Sequence, residues 1–147
     1  MYIKYEVILF MLSKKQLILF KVASSVAGLS DHQKSRLGAI VYNKHKIISS
    51  GYNSSTEVDR VQAELDIARY NCYCPGKIHA ETSALLPFIK KNIDIRGAEL
   101  YVSRLKKDNS HGMARPCPSC MRLIRKCGIK RIHYTTDDGF ATEGIEY

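Results

Sequence analysis

A chain of 147 residues with 45% hydrophobic content is sized for one domain, residues 1–147, around one core; four prolines and no tryptophan do not describe a disordered chain. Lysine and arginine number 23 against 14 acidic residues, a formal charge of +9, which favours an anionic partner: a nucleotide, a nucleic acid or a membrane surface. Five cysteines cannot close a complete set of disulfides within one chain, and clustered thiols with no secretion signal point to a reducing compartment and a metal.

The apolar start is interrupted by Lys4, Glu6, Lys14 and Lys15. No run approaches the ~20 apolar residues of a membrane span, and no small-residue cleavage pattern follows, so no membrane partner and a cytoplasmic location are expected. Ile3, Tyr5, Val7 and Leu9 alternate with Lys4 and Glu6 as in a strand. Met11 is an alternative start, which sets residues 1–12 apart as an N-terminal extension.

Ser13 and Gln16 read as a capping box, and Leu19, Phe20, Ala23, Val26 and Ala27 recur at helical spacing. This predicts a helix over 14–27, with Gly28 ending it in the left-handed conformation. Two β-branched runs, 37–43 and 46–53, predict a strand pair joined by a tight turn at Lys44-His45. Residues 54–78 form a long connection, partly filled by a short helix carrying Val58, Val61, Leu65 and Ala68. Ala84, Leu85, Phe88 and Ile89 mark a helix from Glu81, residues 97–103 a strand, and 104–115 a polar loop. Cys117–Cys127 reads as a helix with Cys120, Met121, Ile124 and Cys127 on one side. Residues 129–135 read as a strand, 137–139 as a turn, and the tail as a last short element. Alternation of this kind gives a sheet with helices on its faces.

Two stretches carry chemistry. In Arg115-Pro116-Cys117-Pro118-Ser119-Cys120 the two thiols share one turn at a helix start, where the positive helix end favours thiolate, the ligand form. No second Cys-x-x-Cys closes a four-ligand structural site. His79, at the start of the preceding helix, supplies a third donor and leaves a fourth position open, the catalytic type of zinc site. Zinc lowers the pKa of bound water from ~15.7 to about 7. Glu81, two residues from the histidine, is placed to take and return the water's proton. The other reading of the four residues is a non-catalytic zinc site.

His-x-Glu followed by Pro-Cys-x-x-Cys is the signature of zinc nucleobase deaminases. From Leu37 to about Gly139 the chain resembles the cytidine deaminase superfamily, on its deoxycytidylate and tRNA adenosine deaminase side. The resemblance implies an α/β, three-layer α-β-α fold with a mixed central sheet of about five strands. It implies His79, Cys117 and Cys120 as zinc ligands and Glu81 as the proton shuttle. Gly51-Tyr52-Asn53 resembles the family's segment whose Asn contacts substrate, and Ala80 matches the backbone N–H that holds the base carbonyl. The superfamily often assembles, so a homo-oligomer is one expectation. The chain departs from deoxycytidylate deaminases at Ser83, where an Asn is usual, and in the twelve residues 104–115 before the second motif.

The expected reaction is hydrolytic deamination of cytosine, in a nucleotide such as dCMP to give dUMP and ammonia. The charge of +9 keeps a second substrate class in view: single-stranded DNA cytosine or tRNA adenosine. A third reading, of another class, is a zinc-stabilised nucleic-acid-binding protein without catalysis. Tyr70, Tyr73, His111, Arg115, Lys106 and Lys107 are candidates for the substrate mouth, Tyr73 and Arg115 foremost, against a solvated loop. Arg122, Arg125, Lys126, Lys130 and Arg131 read as a solvated face. Cys72 and Cys74, with Cys127 or His133, are candidates for a second zinc.

Overall fold

The computed structural model describes residues 2–7, 12–70 and 77–147. Ser13 opens the first helix as its sequence predicts. Its Oγ accepts from the Gln16 N–H at 3.1 Å, and Gln16 Oε1 accepts from the Ser13 N–H at 3.1 Å, a capping box on α1 (Lys14–Ala27). The end of α1 differs from expectation. Gly28 lies at φ −61°, ψ −18°, in the right-handed region, and its N–H reaches back to the Ser24 carbonyl at 3.1 Å. The helical screw runs on through Gly28, so no left-handed turn forms there.

Lys44 and His45 both take positive φ, 48° and 68°. That two-residue turn matches the twist of the strands it joins, β2 (Arg36–Asn43) and β3 (Lys46–Tyr52). The long connection that follows holds α2 (Arg60–Tyr70). Val58 precedes that helix instead of joining its apolar side; it is exposed and bridges Lys77. Then come α3 (Ala80–Lys90), β4 (Glu99–Leu105), β5 (His111–Gly112), α4 (Pro118–Lys126), β6 (Arg131–Thr135) and β7 (Phe140–Ile145), with β1 (Tyr2–Val7) ahead of all of them.

The strands form one mixed sheet in the order β1-β7-β6-β4-β2-β3, with β5 on β4. Among the described strands only the β4–β6 pair, bridged by α4, is parallel. The fold is the expected three-layer α/β class, with more strands in the sheet than the five expected. One of the additional strands, β5, lies inside 104–115, the segment expected to be a polar loop. It folds back on β4 as a hairpin, pairing Arg104 with Gly112 and Leu105 with His111. Another, β7, is built from the tail and pairs with all five residues of β6. The N-terminal strand β1 pairs with β7 from Tyr2↔Ile145 to Val7↔Phe140.

Period-two alternation sorts the central strands between the layers. Ala39, Val41, Leu100, Val102, Ile132 and Tyr134 face the core under α3 and α4. Ile40, Tyr42 and Tyr101 face α1, where Phe20 sits edge-on to Tyr101 at 5.2 Å. Strands buried on both faces read as continuous apolar runs, which is why 38–42 and 100–103 carry almost no polar residue. No helix of the described residues is long and apolar enough to cross a membrane.

Gly38 sets the distance between α1 and β2. A Cβ there would lie 2.3 Å from the Ala23 carbonyl and 2.3 Å from the Ala27 nitrogen, both backbone. At Gly144, on β7, a Cβ would meet nothing within 4 Å among the described residues. Gly38→Ala should therefore cost about 1–3 kcal/mol or more of unfolding free energy, because helix or strand must move. Gly144→Ala should stay within about 0.5 kcal/mol. Urea denaturation of the two variants side by side measures the difference.

Candidate active site

α3 and α4 begin beside each other. His79 is the N-cap of α3 and Cys117 the N-cap of α4, both in extended backbone, and neither side chain makes a capping hydrogen bond. Pro118 fills the first position of α4, where a missing N–H costs nothing. Cys120 follows one turn after Cys117, on the same side of the helix. His79 Nδ1 lies 3.3 Å from Cys120 Sγ and 3.6 Å from Cys117 Sγ, and all three donor atoms fall within 4.8 Å of one another.

That spacing fits a zinc ion. With metal–nitrogen distances of about 2.0–2.1 Å and metal–sulfur distances of about 2.3 Å, tetrahedral angles put nitrogen and sulfur about 3.6 Å apart. The protonation of the sulfurs fits as well. The Cys120 thiol hydrogen-bonds to Cys117, which with His79 pulls Cys117 down to about 3 although burial opposes it. The same hydrogen bond, burial and the nearby Glu81 push Cys120 well up. A metal cation binds both sulfurs as thiolates, so its binding would displace the thiol protons.

Glu81, the second residue of α3, is buried, with Oε2 3.6 Å from Cys120 Sγ. Burial raises its carboxyl pKa; its own backbone N–H and His79 pull the other way. The carboxyl is thus beside the metal donors rather than among them.

A pocket of about 210 Å³ opens over these groups, and Asn53, Ala80, Arg104 and Arg115 help to line it. Asn53, just past β3, is almost fully committed. Its Oδ1 accepts from the Leu37 N–H at 2.8 Å and lies 2.7 Å from Ser30 Oγ, and its Nδ2 donates to the Ser35 carbonyl at 2.8 Å. An amide has two N–H donors, so one is left for a ligand. Arg115 is held by Glu143 of β7 through Nε at 2.8 Å and Nη2 at 3.1 Å, which also raises its pKa.

The family model for the cytidine and deoxycytidylate deaminase zinc-binding region matches residues 13–136. The chain belongs to this family. It is 30% identical over 125 residues to the deoxycytidylate deaminase of Mycobacterium phage D29, covering 77% of this chain and 88% of that protein. It is also 30% identical over 101 residues to ComE operon protein 2 of Bacillus subtilis, where the match covers 69% of this chain but spans only about half, 48%, of that longer relative. The crystal structure of the dCMP deaminase from cyanophage S-TIM5 in complex with dCMP and dUMP superposes with a TM-score of 0.61 at 26% identity, over 86% of this chain and 84% of that one.

Measured against the family pattern, the expected zinc donors come together, with Glu81 beside them and Asn53, Ala80 and Arg115 around one pocket. Tyr73, Cys72 and Cys74 lie outside the described residues. Among the described residues, His79, Cys117 and Cys120 are the one cluster of His, Cys or acidic groups with metal-holding spacing. His133 is elsewhere: Nε2 is bound to Glu99 at 2.9 Å and Nδ1 to Thr142 at 2.8 Å, stacked under Tyr101 on the α1 side. His111 also faces that side, 3.3 Å from Ser24 Oγ, and Lys106 pairs with Asp137 at 3.0 Å.

The sequence reading passed over Gln62. This fully buried side chain of α2 accepts, through Oε1, the His79 backbone N–H at 3.1 Å and the Thr82 hydroxyl at 2.6 Å. It thereby fixes the start of α3 and with it the direction of the His79 ring. Gln62→Leu leaves two donors without their acceptor. It should destabilise the fold by about 1–3 kcal/mol and weaken zinc retention by about 10- to 100-fold. Urea denaturation and a chelator-competition titration give the two values.

Proposed function

We propose that this protein is a deaminase of deoxycytidine nucleotides, converting dCMP to dUMP with release of ammonia. The observation that carries this reading is the juxtaposition of three metal donors with a buried glutamate at the floor of one nucleoside-sized pocket. A purely structural metal site gives a buried carboxyl no employment. The relatives named deoxycytidylate deaminase and the structural likeness to an enzyme holding dCMP and dUMP support the same substrate.

On this reading His79, Cys117 and Cys120 hold zinc, which when bound supplies a Lewis acid and an activated water. With the metal bound, Glu81 would move one proton of the water to the ring nitrogen and the other to the departing amine, accepting and donating in turn; burial raises its carboxyl pKa. Ala80, first residue of α3, offers a backbone N–H to the base carbonyl, since N–H groups in a first turn have no helical partner. Asn53 offers its remaining amide hydrogen to the sugar. Arg115 shapes the wall, its guanidinium fixed by Glu143. The described elements work as one domain, in the cytoplasm, where thiol ligands stay reduced.

The charge of +9 favours a second reading, action on cytosine in single-stranded DNA or adenosine in tRNA. Zinc-loaded wild type and Glu81→Gln should be incubated with dCMP, deoxycytidine, single-stranded DNA and tRNA, with products read by mass spectrometry. Conversion of dCMP and little of the polymers is expected. Glu81→Gln should keep one zinc by elemental analysis and lose about 10²–10⁴-fold in rate. A fully active Glu81→Gln protein would overturn the mechanism. Conversion of a polymer alone, falling steeply with added salt, would move the substrate to nucleic acid.

A further inference from the structure

Arg104 holds the most exceptional position in the pocket. Alternation along β4 puts Leu100 and Val102 in the core under α3 and α4, while Tyr101 packs in the cluster against α1 and Ser103 meets Ser24 of α1 at 2.7 Å. Residue 104 therefore falls on the face where the metal donors lie, and it lines the same pocket as His79, Glu81 and Asn53. The hairpin gives its side chain a seat. Arg104 pairs with Gly112, and a Cβ at 112 would come within 3.1 Å of Arg104 Cδ and 3.3 Å of its Nε. A Cβ there would crowd the arginine stem, which would have to give by a few tenths of an ångström.

Arg104 Nε is buried and has no hydrogen-bond partner among the described residues. A buried donor without an acceptor costs free energy that a bound ligand recovers. Neighbouring cations are engaged. Arg115 is held by Glu143, Lys106 by Asp137, and Arg36 donates to the Lys106 carbonyl at 2.9 Å and to Asn109 Oδ1 at 2.6 Å. A planar guanidinium next to a nucleoside pocket suits a phosphate, which accepts two parallel N–H bonds.

We propose that Arg104 binds the phosphate of the nucleotide whose base is held at Glu81, and so sets the preference for the phosphorylated substrate over the nucleoside. This rests on the deaminase reading for the identity of the ligand, but its test is a binding measurement. Titration calorimetry of zinc-loaded wild type, Arg104→Gln and Arg104→Lys would use dCMP, deoxycytidine and a short single-stranded DNA. Arg104→Gln should weaken dCMP by about 10- to 100-fold and move deoxycytidine far less. Arg104→Lys should recover part of the loss, because the charge returns without the fork. Gly112→Ala, which crowds the stem, should weaken dCMP in the same direction.

The proposal is overturned if Arg104→Gln weakens dCMP and deoxycytidine equally, or neither, or if wild type itself binds both alike. If wild type binds dCMP through Arg104 but converts none of it, the phosphate site stands and the reaction assignment falls. If only the DNA binds, and Arg104→Gln loses it, the same contact is made to a phosphodiester. If only the DNA binds and the variant keeps it, the phosphate site falls.

Discussion

The meeting of two helix N-termini governs the rest of the molecule. Each carries partial positive charge from its unpaired N–H groups, so placing α3 and α4 start to start is unfavourable by itself. Adding a divalent cation would worsen it. The donor set reverses the balance: two thiolates and a neutral imidazole around zinc sum to no net charge, and the helix ends then stabilise the sulfurs. The parallel β4–α4–β6 unit holds one of these ends, and Gln62 of α2 holds the other. Metal affinity and fold stability are in this way coupled through the same few residues.

Glu81 depends on that arrangement. Its burial is costly for a charged carboxylate and raises its pKa. Placed one residue further along α3 it would have rotated by about 100° away from the metal donors. His79 and Glu81 meet beside the same sulfur because His79 is the extended N-cap, outside the helical screw that carries Glu81.

Local signals were legible in the sequence, and non-local ones were not. The capping box at Ser13, the Lys44-His45 turn and the two helix starts are settled by neighbours within four residues, and each lies where the sequence placed it. The expected left-handed Gly28 failed because a glycine permits that conformation without requiring it. The 104–115 segment was read by its polarity, but its pairing with β4 is decided by backbone hydrogen bonds, which polarity does not report. The contrast between Arg104 and Arg115 is instructive. Arg115 stands beside the Pro-Cys motif and drew attention by proximity, yet Glu143, 28 residues away on β7, claims it. Arg104 was findable, since Leu100 and Val102 already fix which face residue 104 takes; the loop assignment hid it.

The hairpin that displays Arg104 also bears on the meaning of the charge of +9. A polymer-binding surface needs a track of cations open to successive phosphates. Around this pocket the cations are tied down locally: Arg36 to a carbonyl and an amide, Lys106 to Asp137, Arg115 to Glu143. The exposed Arg122, Arg125 and Lys126 lie on the outer side of α4, opposite the buried Cys120, Leu123 and Ile124. Positive charge spread in this manner attracts an anion from a distance without dictating a path along the surface, which is what a mononucleotide requires. A single guanidinium held at the pocket by strand register then supplies the local contact, and long-range steering and short-range recognition are divided between different residues.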